Sequence, residues 1–204
     1  MSSRAAAEAV GRGTHVAALP NLLSLLRIGL VPVLVALLAW PTRATRIVAG
    51  ACFLLACVTD FLDGYLARRR GITSVLGQFL DPLADKMIVS CVLIMLAAVP
   101  AEPRVPAWMV VVIVVRELAV TGLRTIASRG GVLLPALELG KYKMIFQMFA
   151  LEGLILRDRY PVPGTGLQVD FHAAGMVLLW VALVLGVWSA IDYHVRILRQ
   201  VDLR

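Results

Sequence analysis

Six long apolar runs constrain this chain more than any other feature of its sequence. Each is close to the ~20 residues that an α-helix needs to cross a bilayer. The chain has 204 residues, of which 60% are hydrophobic and only 16% are charged. Water-soluble domains carry about 45–50% apolar and about 25% charged residues, so a water-soluble enzyme, a disordered chain and a nucleic-acid-binding tail are excluded. The apolar runs cover residues 22–40, 47–67, 75–99, 107–127, 137–156 and 173–195.

These runs predict an all-α integral membrane protein with six transmembrane helices. We expect a single six-helix domain over residues 21–204, preceded by a cytoplasmic N-terminal arm over residues 1–20. With the N-terminus inside, twelve Lys and Arg residues fall in the inner regions and five in the outer loops. Because Lys and Arg gather on the cytoplasmic side of a membrane, we expect a multi-pass protein of the inner or plasma membrane with both termini in the cytoplasm.

Four aspartates stand out because charge inside a membrane span is costly. Asp60 and Asp63 are three residues apart, and Asp81 and Asp85 are four apart, so each pair shares one face of its helix. The short connection near residues 69–74 makes the two helices antiparallel neighbours, with both pairs near the cytoplasmic end. Four converging carboxylates repel one another strongly in a low dielectric. The pattern predicts a Mg²⁺ or Mn²⁺ site, with two ions about 4 Å apart as in phosphoryl transfer.

Two other interpretations of these aspartates are open. Aspartates near a helix end can lie among lipid headgroups and pair with a basic run such as residues 68–70. Intramembrane acids also mark ion pathways, so a six-span ion transporter is the alternative from a different functional class. A transporter needs polar groups near the bilayer midplane on several helices. These acids cluster at one end of two helices, which favours an enzyme.

The spacing of the aspartates also carries a family resemblance. The pattern Asp60-x-x-Asp63-Gly64-x-x-Ala67-Arg68, eight residues, Gly77-x-x-x-Asp81-x-x-x-Asp85 resembles the CDP-alcohol phosphotransferase signature at all eight positions. The resemblance implies a six-helix membrane fold, usually a homodimer, and transfer of a CDP-linked phosphatidyl group to an alcohol with release of CMP. Asn21 and Ser74 also suit ordinary helix caps. The residues expected to bind CDP-diacylglycerol are Asn21, Ser24, Gly64, Arg68, Ser74 and Gly77.

The transfer needs a base, because the acceptor hydroxyl must lose a proton as it attacks phosphorus. The motif contains no histidine, so a carboxylate is the available base. The resemblance gives this catalytic role to Asp85, which also belongs to the expected metal ligands with the other three aspartates. Lys86 follows Asp85 directly. Since neighbours in sequence point apart on a helix, we expect Lys86 to face away from Asp85.

Further segments resemble the branch of this family that uses sn-glycerol 3-phosphate as the acceptor. Met144 stands where that branch commonly has Thr, so inositol phosphate, serine and phosphatidylglycerol stay open as acceptors. The segments are Leu19–Arg27 at the first run, Val115-Arg116-Glu117 with Thr121 and Leu123-Arg124, and Gly140-Lys141-Tyr142-Lys143 with Gln147.

Glycerol 3-phosphate is a dianion, so its capture calls for cations at the inner membrane face. Arginine suits forked phosphate contacts and lysine suits point-charge contacts. Arg124, Lys141 and Lys143 could instead be ordinary cytoplasmic anchors of their helices. Arg116 could instead form an ion pair with Glu117. The residues expected to bind the acceptor are Arg116, Arg124, Lys141 and Lys143.

Overall fold

The computed structural model describes residues 24–70, 75–99, 102–129, 138–161, 164 and 167–201. For residues 62–70, 75–82, 126–129, 138–139 and 198–201 the description covers the backbone alone. Each of the six apolar runs is helical in this part of the chain, as predicted. The helices are α1 (Ser24–Ala39), α2 (Arg43–Arg70), α3 (Val75–Ala98), α4 (Ala107–Arg129), α5 (Glu138–Leu156) and α6 (Phe171–Val201).

Two stretches among the described helices are long and apolar enough to cross a membrane. They are Arg43–Phe61 within α2 and Phe171–Ile197 within α6. The described part of α1 is also apolar but shorter than a full span. The helical architecture is therefore confirmed, whereas the number of membrane crossings stays a prediction.

Local chemistry sets the helix boundaries. α1 ends just before Pro41, whose ring lacks the N–H that a continuing helix would use. Thr42 caps α2, since its Oγ1 accepts a hydrogen bond from the Thr45 backbone N–H at 3.1 Å. Asp170 caps α6 in the same way, with its Oδ1 accepting from the Ala173 N–H at 2.9 Å.

A short β-hairpin joins α5 to α6, where the sequence predicted only a loop. Strands β1 (Arg159–Pro161) and β2 (Gln168–Asp170) pair antiparallel, with Tyr160 opposite Val169. Asp158 lies just before β1. Its two carboxylate oxygens accept hydrogen bonds from Arg46 Nη2 of α2 at 2.8 and 2.9 Å. The prediction of an all-α fold is thus correct for the bundle and wrong for this connection.

Helix α5 lies at the centre of the bundle. It packs most extensively against α6 and also contacts α2 and α3, while α4 packs between α3 and α6. The α5 residues Ala150, Leu151, Leu154 and Ile155 are almost completely buried. Two polar side chains of this helix, Lys143 and Gln147, are buried as well.

Two glycines let α5 and α6 approach closely. A Cβ atom placed on Gly175 would lie 2.9 Å from both the Ala150 carbonyl oxygen and the Leu154 backbone nitrogen. A Cβ on Gly153 would lie 3.0 Å from the Phe171 carbonyl oxygen. Because these neighbours are backbone atoms that cannot rotate away, the crossing depends on the missing side chains.

Gly175→Ala should therefore destabilise the protein, because the added methyl group forces α5 and α6 apart. We expect a loss of about 1–3 kcal/mol in the free energy of unfolding, the usual cost of overpacking. The measurement is thermal unfolding of the purified protein in detergent. Gly29→Ala on α1 is the matched control, since no described atom lies within 4 Å of a Cβ at that position. Equal stability of the two variants would contradict this account of the crossing.

Candidate active site

A cavity of about 280 Å³ opens among α3, α4, α5 and α6. It lies beside the first half of α3, the start of α5, the middle of α4 and the second half of α6. Ser189 and Tyr193 form its wall on α6. Five cationic and two acidic side chains line it, so the cavity carries an excess of positive charge. The charged lining residues are Asp85, Lys86, Arg116, Glu117, Arg124, Lys141 and Lys143.

Asp85 contributes a partly buried carboxylate to this cavity. It lies within electrostatic range of Asp60, Lys86, Lys143 and Glu117. The expectation that Lys86 faces away from Asp85 is wrong, because both side chains line the same cavity and interact electrostatically. A long, flexible lysine side chain can turn back toward a neighbour that its Cα–Cβ bond points away from.

A buried group of three charges forms the floor of the cavity. Glu117 accepts a hydrogen bond from the Lys143 ammonium and another from Arg116 Nη1 at 3.0 Å. The same guanidinium donates through Nε to the Gly186 carbonyl oxygen at 2.8 Å and through Nη2 to Ser189 Oγ. All three side chains of the Arg116–Glu117–Lys143 cluster are at most 18% exposed. The ion pair of Arg116 with Glu117, which was the other interpretation of this arginine, is present, and Lys143 joins it from α5.

Two further cations lie at the rim of the cavity. Arg124 is exposed, and its guanidinium lies over the Tyr193 ring at 5.8 Å from the ring centre. Lys141 is exposed on the first turn of α5. The structure therefore brings all four expected acceptor-binding residues to one cavity, two in the floor and two at the rim.

The four motif aspartates lie on the two helices that the sequence predicted. The Asp60 carboxylate on α2 pairs with Arg27 of α1, which is buried. Asp60 and Asp85 come from different helices and lie within electrostatic range of each other. The backbone is helical at Asp63 and Asp81, whose side chains lie outside the description.

The donors present in this region suit a hard divalent cation. Asp60 and Asp85 offer oxygen atoms, and a carboxylate that accepts one hydrogen bond keeps lone pairs for a metal ion. Among the described side chains, no group of three or more His, Cys, Asp or Glu residues could hold a metal ion. Of the four expected metal ligands, only Asp60 and Asp85 have described side chains.

The residues expected to bind CDP-diacylglycerol are described only in part. Ser24 is completely buried at the start of the described part of α1. Gly64, Arg68 and Gly77 lie in helical backbone of α2 and α3, and their side-chain surroundings are not described. Asn21 and Ser74 lie outside the described residues.

Sequence reasoning missed part of the site. Ser189 and Tyr193 are four residues apart and share one face of α6, a signal that helical spacing could have revealed. Arg27 is a lone base inside the first apolar run, and such a residue needs a counter-charge. Its partner, Asp60, could not be chosen from four aspartates without the packing of α1 against α2.

Comparison with known proteins identifies the family. A sequence profile of CDP-alcohol phosphatidyltransferases matches residues 17–188. The chain belongs to this family. The CDP-diacylglycerol–glycerol-3-phosphate 3-phosphatidyltransferase of Bacillus subtilis is 38% identical over 187 residues, covering 86% of this chain and 92% of that protein. The protein of the same name from Rickettsia typhi is 35% identical over 175 residues, covering 86% and 94%.

A further relative carries a related name. The probable phosphatidylglycerophosphate synthase of Mycobacterium tuberculosis is 38% identical over 190 residues, covering 92% of this chain and 85% of that protein. The family membership that the aspartate signature indicated is thus confirmed. In this CDP-alcohol phosphatidyltransferase, the signature helix α3 contributes Asp85 and Lys86 to the cationic cavity, and Asp60 of the signature helix α2 interacts electrostatically with Asp85.

Removing the shared carboxylate of the cluster should destabilise the enzyme strongly. Glu117→Gln leaves Lys143 and Arg116 buried without a counter-charge, and breaking a buried ion pair costs about 3–5 kcal/mol. Adding Lys143→Met to Glu117→Gln removes one uncompensated charge, so the double variant should recover part of the loss. Thermal unfolding in detergent is measured for Glu117→Gln, for Lys143→Met and for the double variant. The three losses of stability give the coupling energy between Glu117 and Lys143. Strictly additive effects would contradict a shared charge cluster.

Proposed function

We propose that this chain transfers the phosphatidyl group of CDP-diacylglycerol to sn-glycerol 3-phosphate, giving phosphatidylglycerophosphate and CMP. The proposal rests on the cationic cavity, whose wall includes Asp85. Relatives that are 35% and 38% identical to this chain are named after this reaction. A dianionic acceptor suits a cavity with five cationic side chains. The reaction would serve the synthesis of phosphatidylglycerol and cardiolipin.

In this proposal the acceptor lies with its phosphate toward the rim and its hydroxyl end toward Asp85. Arg124 and Lys141 are exposed at the rim and face the entering phosphate, whereas Arg116 and Lys143 are held by Glu117 and supply fixed charge. Charge-assisted contacts of this kind are about twice as strong as neutral hydrogen bonds. The Arg116–Glu117–Lys143 cluster thus adds fixed positive charge beneath the rim cations and does not have to move when the phosphate binds.

Asp85 acts as the general base. Its carboxylate takes the proton of the acceptor hydroxyl, and that oxygen bonds to the β-phosphorus of CDP-diacylglycerol. The bond between this phosphorus and the oxygen of the CMP group breaks, and CMP leaves with the electron pair. The proton on Asp85 then passes to solvent at the open side of the cavity.

We further propose that Asp60, Asp63, Asp81 and Asp85 hold two Mg²⁺ or Mn²⁺ ions. Such ions, when bound, neutralise charge on a transferring phosphoryl group and orient it. Asp60 is steadied by Arg27, so one carboxylate oxygen of the site has a fixed position. CDP-diacylglycerol would lie along α1, α2 and α3, at Asn21, Ser24, Gly64, Arg68, Ser74 and Gly77, with its acyl chains in the bilayer.

The arrangement in the membrane belongs to the same proposal. Six transmembrane helices with both termini and the cavity on the cytoplasmic side agree with the distribution of Lys and Arg. The two apolar helices α2 and α6 support insertion in the membrane. The expected homodimer rests on the family resemblance.

A panel of acceptors tests the function directly. The purified protein is supplied with CDP-diacylglycerol and Mg²⁺ or Mn²⁺, and CMP release is measured with glycerol 3-phosphate, inositol phosphate, serine and phosphatidylglycerol. Glycerol 3-phosphate should give the highest kcat/KM. Arg124→Ala and Lys141→Ala should each raise the KM for it by about one to two decades, since a lost contact to a charged group is worth about 1.5–3 kcal/mol.

The panel has a matched control on the opposite end of the bundle. Arg104→Ala removes an exposed arginine that pairs with Glu102, outside the cavity. This variant should keep the wild-type KM for glycerol 3-phosphate. Preference for another acceptor in the panel would overturn the proposed substrate. Wild-type KM values in both rim variants would place the phosphate elsewhere.

Asparagine variants of the aspartates should separate proton transfer from metal binding. Asp85→Asn should change the affinity for CDP-diacylglycerol less than tenfold, while turnover falls by about 10²–10⁴, the usual scale for loss of a general base. Asp60→Asn, Asp63→Asn and Asp81→Asn should lose activity through weaker metal binding, which the electron paramagnetic resonance of bound Mn²⁺ reports.

Controls for this series use the wild-type protein. Chelation should abolish its turnover, and added Mg²⁺ or Mn²⁺ should restore it. Turnover that resists a chelator would rule out the two-metal proposal. If Asp85→Asn instead loses metal and CDP-diacylglycerol binding together but keeps its turnover at saturation, Asp85 is a ligand and the base is another group.

A further inference from the structure

A small recess extends from the cavity between α3 and α5. Its volume is about 30 Å³, and it shares Asp85, Lys86, Glu117, Lys143 and Met144 with the cavity wall. The recess ends at Ser90 and Gln147, which lie beyond Asp85 on α3 and beyond Lys143 on α5. It is therefore a side chamber at the inner end of the proposed acceptor site.

The Gln147 side chain lines this recess without using its hydrogen-bonding capacity. Gln147 is only 3% exposed, and neither its Nε2 nor its Oε1 atom has a hydrogen-bond partner in the structure. A buried amide without partners is costly, and native proteins rarely keep one. It can both donate and accept. The site is thus complete only when a small polar group occupies the recess.

We propose that the recess binds the second hydroxyl group of the acceptor and that Gln147 determines specificity for it. This inference rests on the proposed function and identifies the group of glycerol 3-phosphate that Gln147 recognises. When the terminal hydroxyl lies at Asp85 and the phosphate at the rim, the neighbouring C2 hydroxyl lies beside the recess. A hydroxyl group is both a donor and an acceptor, which matches the amide of Gln147.

The size of the recess supports a hydroxyl group over larger occupants. A site for one water molecule needs at least about 10–15 Å³, so about 30 Å³ admits a hydroxyl or a water molecule but no phosphate group. Phosphate is also disfavoured because Glu117 and Asp85 form part of the same wall. An acceptor that lacks the C2 hydroxyl would leave Gln147 unsatisfied. Sites that are built to bind a hydroxyl group reject such analogues strongly.

The test compares two acceptors that differ by this one hydroxyl. Glycerol 3-phosphate and 3-hydroxypropyl phosphate are supplied to the full-length enzyme with CDP-diacylglycerol, and kcat/KM is measured for each by CMP release. The wild-type enzyme should favour glycerol 3-phosphate by roughly ten- to a hundredfold. Gln147→Met keeps the length of the side chain but removes both polar atoms, so the ratio should fall to within about threefold of one.

Phe149→Leu is the matched control, because it changes an exposed apolar side chain of the same helix. It should keep the wild-type ratio. Gln147→Leu is a second apolar variant in case Gln147→Met folds poorly. The ratio of two substrates on one preparation is independent of the amount of folded enzyme.

Two results would overturn the inference. A wild-type ratio in both Gln147 variants would mean that the recess holds water only. A wild-type enzyme that uses both phosphates equally well would show that the second hydroxyl is not read. Both outcomes leave the proposed function intact. A wild-type enzyme that uses neither phosphate would overturn the proposed function itself, together with the subsite.

Discussion

The charge cluster of Arg116, Glu117 and Lys143 is the interaction on which the candidate site depends. A lone charge cannot be buried in an apolar bundle at acceptable cost, so each of these groups requires the others. Because the partners come from α4 and α5, and Arg116 also reaches the Gly186 carbonyl and Ser189 on α6, three helices are fixed around one cavity. The cluster also leaves the cavity with a positive excess that favours an anionic acceptor.

The two ends of the bundle are built from different interactions. At the cavity end, buried charges meet among four helices and leave space between them. At the other end, the hairpin between α5 and α6 is tied to α2 through the bidentate contact of Arg46 with Asp158. At the same end, close to the hairpin, Gly153 and Gly175 allow the backbones of α5 and α6 to approach closely.

Much of this arrangement follows from local patterns in the sequence. Runs of apolar residues close to the length of a span predicted all six helices, and the sequence placed the four motif aspartates on two of them. The hairpin was missed because its strands are three residues long, too short for any alternation to be visible. The prediction for Lys86 was wrong because the direction of the Cα–Cβ bond does not determine where the ammonium group of a long side chain lies.

The sequence by itself determined the family, the helices and the residue types available for chemistry, because these depend on spacing within one helix or on a contiguous motif. Only the tertiary structure decided which charges pair. Arg116 and Glu117 are neighbours in sequence and pair within one helix, whereas the contact of Glu117 with Lys143 exists because the fold brings α4 and α5 to one cavity. The same holds for Arg27 with Asp60 and for the recess at Gln147. Contacts between distant residues depend on how helices pack, and packing is a property of the whole bundle.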